Sequence, residues 1–402
     1  MIKDTNEGEK KYSVHKFLIS SPVNFTGRLT LDFLDITQSF FNFSDENLKF
    51  TSFSDSPFNR SYLLCSLKIE EEIVKNHGHV LTNPIFLAEF LCSSLAVFFG
   101  KKFSFHGFIE SHGISYVPYG MEALAFKTFK YPFMNRAPRV DFQIPLALQE
   151  AEVFIYYLFM NLFKSCCVQS FQKAASFYLS ALKEIESEPA KAYLSLITSG
   201  EILSGYFDYK DEDLFHEDDP IKNILRSLAD NKWPAKEINC IRERLYQVRQ
   251  KFWLTINKLL PENFFDISEC QNEPGQFNKA DFKKRIKSAY DLRSQYVHTG
   301  FDFGNTVYCL PGWLNEIHFC SNAPTFLGLE RVIRVILLNF IHTEGIQLLP
   351  LFVKTSTKKE ILKSIKPIGE GKVYGKKVVF ITKTSWDKLQ KAFKDDKVKS
   401  RE

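Results

Sequence analysis

The sequence predicts an α+β domain at the N-terminus, an all-α bundle behind it and a small basic α/β appendage at the C-terminus. Three observations carry that reading. Short runs rich in β-branched and aromatic residues fill the first third of the chain, helical periodicity takes over near residue 144, and lysine accumulates after residue 353. The corresponding domains are residues 1–143, 144–348 and 349–402.

In the first domain, strands are expected at 11–19, 27–36, 61–69, 113–119 and 139–144, each bounded by Ser, Asn, Pro or Gly. One helix interrupts them. Asn83 is its N-cap, Pro84 occupies the first turn, where a missing amide does no harm, and Gly100 supplies the left-handed stop. Helices are then expected at 148–167, 169–186, 189–207, 221–229, 235–260, 279–298 and 325–343. Pro220, Pro234, Pro261, Pro274 and Pro311 all fall between these elements. After them, 372–382 reads as a hairpin, followed by a short helix capped by Ser385.

The chain has 402 residues, with 40 Phe against 4 Met and 4 Trp, and the phenylalanines are spread through every segment, as core filling requires. The 8 cysteines show no Cys-x-x-Cys spacing and no histidine at zinc-finger distance. They fit free thiols in a reducing cytoplasm, and no metal or cofactor is expected. His77 and His79 lack a third ligand nearby, and His106 and His112 sit in a turn-rich stretch and read as structural. The polar segment 1–11 resembles neither a signal peptide nor a transit peptide. The apolar stretches 85–99 and 153–163 are shorter than the ~18–20 residues that cross a bilayer, and Glu89 interrupts the first, so no membrane partner is expected.

Charge is uneven. From Lys354 to Glu402 there are 15 Lys and Arg against 6 Asp and Glu, although the whole chain carries only +5. Lys358, Lys359, Lys376 and Lys377 are the candidate RNA-binding residues of this tail, with a plain solvated surface as the alternative.

The segment with most chemical content is FKKRIKSAYDLRSQYVHTG, residues 282–300. Its apolar residues recur at near-helical spacing and Gly300 is a natural stop, so Arg293 and His298 occupy the last two turns of a packed helix. Five residues correspond to ~140° of rotation, so the two side chains do not share a face, whereas Ser294 and His298 do. Arg293 must reach around the helix or meet a His298 supplied by a second subunit, and a symmetric dimer satisfies the second case.

Tyr290, Asp291, Leu292, Arg293, Ser294, Val297 and His298, with Gly300 just after, resemble the signature of the Apea-like branch of the HEPN superfamily, an Arg-x4-His motif. Upstream, Phe171, Gln172, Lys173, Ala174, Ala175 and Tyr178 look like an early family helix, as do Ala190, Tyr193, Leu196, Glu201 and Leu203. The long helix carrying Arg242, Glu243 and Arg244 fits as well. The resemblance covers about residues 144–345, and a sensing domain ahead of a HEPN domain is a common family arrangement. Many active members have Asn or Asp directly after the motif arginine, whereas this chain has Ser294, which is polar and still donates a hydrogen bond.

The resemblance implies an all-α HEPN bundle and a metal-independent endoribonuclease acting as a homodimer. In prokaryotes such proteins serve as toxins or as antiviral, abortive-infection effectors, controlled by an antitoxin or a phage-derived trigger. The residue types suit that chemistry. Histidine titrates near neutrality and can move protons between a 2′-hydroxyl and a leaving 5′-oxygen. A guanidinium holds a phosphate through two parallel hydrogen bonds. His298 is then the general acid or base, Arg293 the phosphate ligand and Ser294 an orienting group, with Glu201 and Asp291 as candidate support. The alternatives for these two carboxylates are a helix surface for Glu201 and the solvent side for Asp291. The other functional reading is a catalytically silent HEPN module that binds nucleic acid or a partner protein.

Overall fold

A computed structural model describes residues 12–38, 61–70, 72–74, 78–80, 83–111, 113–116, 131–134, 139–142, 145–214, 220–238, 248–270, 273–303, 307, 314–318, 321–344, 371–374 and 377–382. The chain is α+β, with an antiparallel sheet followed by a helical region, and it divides into two compact units. One comprises residues 1–165 with 346–402, and the other residues 166–345.

The first unit holds β1 (Tyr12–Ser21), β2 (Phe25–Thr26), β3 (Leu29–Thr30), β4 (Leu34–Gln38), β5 (Ser61–Glu70), β6 (Glu72–Val74) and β7 (Gly78–Val80). After them come α1 (Pro84–Phe99), β8 (Ser104–Ser111), β9 (Ile114–Ser115), β10 (Leu146–Ala147) and α2 (Glu152–Asn161). Six strands form one sheet in the order β3-β4-β5-β1-β8-β9, antiparallel throughout. Along β1 the side chains of Ser13, His15, Phe17 and Ile19 are buried at every second position, as the two-residue period of a strand demands. The polar members of that row are paired: His15 Nε2 lies 2.9 Å from Ser13 Oγ, and His15 Nδ1 lies 2.9 Å from Ser111 Oγ on β8. On the opposite face, Ser20 Oγ lies 2.7 Å from the buried His106 Nε2.

Strand β8 is absent from the sequence expectation because its Gly107 and polar residues read as a turn. Gly107 has φ +98°, and the β1–β8 register shifts twice, between Lys16 and Phe17 and between Phe17 and Ile19. These are β-bulges, and they hide the alternation that would mark the strand. The expected strand 27–36 is a hairpin of β3 and β4. Of the strand expected at 139–144, the described residues 139–142 form an isolated bridge between Arg139 and Phe142, and 143–144 lie outside the described residues.

Helix α1 is capped as its sequence requires. Asn83 accepts from Ile85 N at 3.0 Å, and Gly100 is left-handed. Arg139 Nη1 donates to Gly100 O at 2.9 Å, placing a cation at the helix C-terminus, where the dipole favours it. The helix is buried nearly all round, in a phenylalanine cluster in which Phe99 meets Phe25 at 5.3 Å and Phe98 meets Phe154 at 5.2 Å.

The expected single helix 148–167 is a 3-10 turn at Leu148–Ala151 followed by α2, with a turn at 162–165. Helix α2 packs with the sheet unit, because Phe159 stacks on Phe33 at 5.6 Å and meets Phe90 at 5.2 Å. The unit boundary therefore lies at 165/166 and not at 143/144. The expected C-terminal hairpin is present as β11 (Gly371–Tyr374) and β12 (Lys377–Thr382), grouped with the first unit and not standing alone. The helix expected at Ser385 lies outside the described residues.

The second unit contains α3 (Cys166–Glu184), α4 (Pro189–Ser204), α5 (Asp211–Leu214), α6 (Pro220–Asp230), α7 (Val248–Leu259), α8 (Phe282–Thr299) and α9 (Phe326–Glu344). Helix α9 is the central one, buried from Phe326 to Leu338, and it packs on α3, α4 and α7. Gly200 lets α4 approach closely, since a Cβ there would lie 2.5 Å from the Phe252 ring of α7 and 3.1 Å from Ile333 of α9. Ser199 Oγ donates to Ala174 O at 2.8 Å, and Tyr178 OH to the buried Glu330 at 2.5 Å.

At the start of α9 lies a buried ion pair between Arg331 and Glu316, whose side chains are 3% and 1% exposed. Arg331 also donates to the carbonyls of Phe264 and Ile267. Glu316 accepts from Ser268 Oγ at 2.8 Å and from Phe277 N at 2.9 Å. A Cβ on Gly328 would meet the Glu316 carbonyl oxygen at 2.1 Å, so the helix and this loop touch backbone to backbone.

Two stability outcomes follow from these contacts. Glu316→Ala leaves Arg331 charged, buried and stripped of its carboxylate, which lowers unfolding free energy by about 3–5 kcal/mol. Gly328→Ala costs about 1–3 kcal/mol or more, because the atom in its way is backbone and cannot swing aside. Thermal and urea denaturation of the two variants measure both; losses under half a kilocalorie would mean that the α9 junction is looser than described.

Candidate active site on helix α8

Helix α8 follows Asp281, whose Oδ2 accepts from Arg285 Nε at 2.7 Å, and ends at Gly300, whose φ is +69°. Its buried residues are Phe282, Ile286 and Ala289. Phe282 sits among Phe264, Phe265 and Phe277, and Tyr290 meets Phe252 of α7 at 5.8 Å. These contacts fix the axis of the helix and leave its last two turns to carry polar groups.

Arg293 is half-buried and held from two sides. Its Nη2 lies 3.6 Å from Glu201 Oε2 on α4, and its guanidinium stands 5.6 Å from the centre of the Tyr290 ring. Glu201 is 16% exposed on its side chain, too enclosed for a plain surface carboxylate. Tyr290 belongs to the signature segment but carried no expected role at the site, and it completes this cluster. Burial and the Glu201 carboxylate push its phenol up to about 12, against a smaller opposing effect of Arg293. Spacing three residues before Arg293, on the same side of the helix, was the available signal.

His298 is exposed, and among the described residues it has no side-chain hydrogen bond or ion pair. Ser294 is half-buried one turn before it. Within one chain, the helical period turns Arg293 and His298 ~140° apart, so α8 does not bring them to one face. Val297 and Phe301, near His298 in the sequence, are 55% and 52% exposed.

Asp291 pairs with Arg249 of α7 at 2.6 Å, so it braces α8 against α7 and does not join Arg293. Of the tail lysines, Lys358, Lys359 and Lys376 lie outside the described residues, as do Arg242, Glu243 and Arg244; Lys377 begins β12. Among the described residues, no group of three or more His, Cys, Asp and Glu is arranged to hold a metal, and no single helix is long and apolar enough to cross a membrane. No protein-family model, no curated protein and no solved structure matches this chain.

The Tyr290 phenol keeps its proton more tightly folded than unfolded. Its stabilising effect is therefore complete below the ordinary tyrosine pKa of about 10 and is lost as pH rises from there towards about 12. Tyr290→Phe should flatten that part of the stability profile, read by urea denaturation at stepped alkaline pH; an unchanged slope would place the phenol in ordinary solvent.

Proposed function

We propose that the chain is a metal-independent endoribonuclease built on a HEPN-type helical domain, with Arg293 and His298 as its working pair and a second copy of the chain completing the site. The observation that carries this reading is the contrast at the end of α8: an arginine anchored by Glu201 and Tyr290, and an exposed histidine five residues on. An anchored guanidinium is pre-oriented for a phosphate, and an imidazole open to solvent is accessible to a ribose. Because the two diverge around one helix, a twofold-related partner brings the His298 of one chain to the Arg293 of the other.

In the proposed reaction a 2′-hydroxyl attacks the adjacent phosphorus, and His298 takes its proton or supplies one to the departing 5′-oxygen. Arg293 holds the non-bridging oxygens as negative charge builds on them. Ser294, one turn from His298, orients the imidazole or the phosphate. The products carry a 2′,3′-cyclic phosphate and a 5′-hydroxyl, and DNA, lacking the nucleophile, is inert. Toxin and antiviral roles in the cytoplasm, with an antitoxin or phage-derived trigger, belong to this reading.

The Glu201 carboxylate favours a second reading, since it already engages Arg293 and an incoming phosphate must compete with it. In that case the domain is a catalytically silent module that binds nucleic acid or a partner protein. One experiment separates the two. Purified protein should cut single-stranded RNA in the presence of a chelator, and His298→Ala or Arg293→Ala should each slow cutting by at least about a hundredfold. Mixing the two inactive variants should restore cutting through mixed dimers. Wild-type protein inert towards a broad RNA panel, or mixtures as dead as their components, would leave the silent module or a single-chain site.

A further inference from the structure

The outer surface of α8 carries more than the proposed pair. At ~100° per residue, Lys283, Lys287, Ser294 and His298 fall within about 60° of one another, a row about 22 Å long. Arg249 of α7 joins it through its 2.6 Å contact with Asp291. Lys283 is exposed and stands 5.9 Å from the ring centre of the half-buried Trp253 on α7. Lys287 is half-buried, and its ammonium is disfavoured first by that burial and then by Lys283 and Arg249, with Asp291 alone acting in its favour. Asp291, the carboxylate that favours the Lys287 ammonium, is thus already bonded to Arg249. Like charges one helical turn apart repel each other, so the fold holds together three cations that an anion would relieve.

We propose that this row is the bed for the phosphodiester backbone of single-stranded RNA, which runs along α8 from Lys283 towards His298. Two features favour a nucleic acid over an acidic protein segment. Lys283 and Lys287 are single charges ~6 Å apart along the axis, so each can meet a separate charge of a chain that carries one per unit. Trp253 beside them offers an aromatic ring next to a cation, the combination on which single strands bind without sequence preference. The choice of RNA, and the direction towards His298, rest on the nuclease reading; the anion-binding surface itself does not.

The test measures binding of a fluorescent single-stranded RNA carrying 2′-O-methyl groups, which cannot be cut, by anisotropy across a series of salt concentrations. The Lys283→Gln/Lys287→Gln variant should bind about tenfold or more weakly near 0.1 M salt, with the slope of log affinity against log salt reduced by about 1.4. Lys283→Arg/Lys287→Arg should match wild type, and so should Lys173→Gln/Lys183→Gln, the same charge change on the exposed side of α3. Circular dichroism verifies that each variant is folded. Wild-type affinity and slope in the α8 glutamine variant, or an equal loss in the α3 variant, overturns the proposal. Cutting of unmodified RNA is scored in parallel. A wild type that cuts while the α8 glutamine variant binds undiminished removes the bed and keeps the nuclease. One that cuts nothing but shows the lysine-dependent slope does the reverse, and one that neither binds nor cuts removes both.

Discussion

The buried pair of Glu316 and Arg331 is the contact on which the helical unit depends. Between α7 and α9, among the described residues, α8 is the one long regular element, and the segments on either side of it are turns and short 3-10 helices. Glu316 gathers them: its carboxylate takes Ser268 and Phe277, its backbone N–H meets Gly275 O at 2.8 Å, and its carbonyl receives Thr325 N at 3.0 Å. Arg331 closes the set from α9 by reaching Phe264 and Ile267. Phe264 and Phe277 then form the pocket that seats Phe282 at the start of α8. The direction in which α8 leaves, and with it the position of Arg293 and His298, is thus set by a charge pair that water does not reach.

That arrangement separates the support of the candidate site from its chemistry. The start of α8 is seated by aromatic rings and its middle is tied to α7 through Asp291 and Arg249, while Lys283 near its start and the polar groups of its last two turns stay exposed or half-buried. Arg293 is the intermediate case. Glu201 and Tyr290 hold its guanidinium in place, which removes the cost of ordering a long side chain on binding, but the same carboxylate weakens its attraction for phosphate. Glu201 therefore both orders the guanidinium of Arg293 and competes for it.

Much of the fold was legible in the sequence wherever a local signal had one meaning. Asn83, Pro84 and Gly100 bounded α1, and the proline positions separated the helices of the second unit, because these residues act on their own backbone. Helix α8 and its left-handed stop at Gly300 were legible for the same reason. What failed were features set by distant partners. The bulges of β8 erase its alternation, and α2 joins the sheet because Phe159 finds Phe33, a contact no helical period reveals. At the site, spacing placed Arg293 and His298 on different faces. It could not place Glu201 beside Arg293, since that meeting depends on how α4 crosses α8, nor assign Asp291 to Arg249.

The two serine–histidine contacts between β1 and β8 have a consequence for how the chain finds its register. Phe17, Phe105 and Phe108 pack against one another as T-shaped pairs at 5.5–5.9 Å across a ladder that two bulges interrupt. A slip by one residue turns every side chain of β8 to the other face, which the burial of these rings already opposes. His15 with Ser111 and His106 with Ser20, lying on opposite faces of β1, are satisfied together in one alignment, and any slip buries imidazoles and hydroxyls against hydrocarbon. These four polar side chains thus reinforce the single alignment that the buried rings already favour.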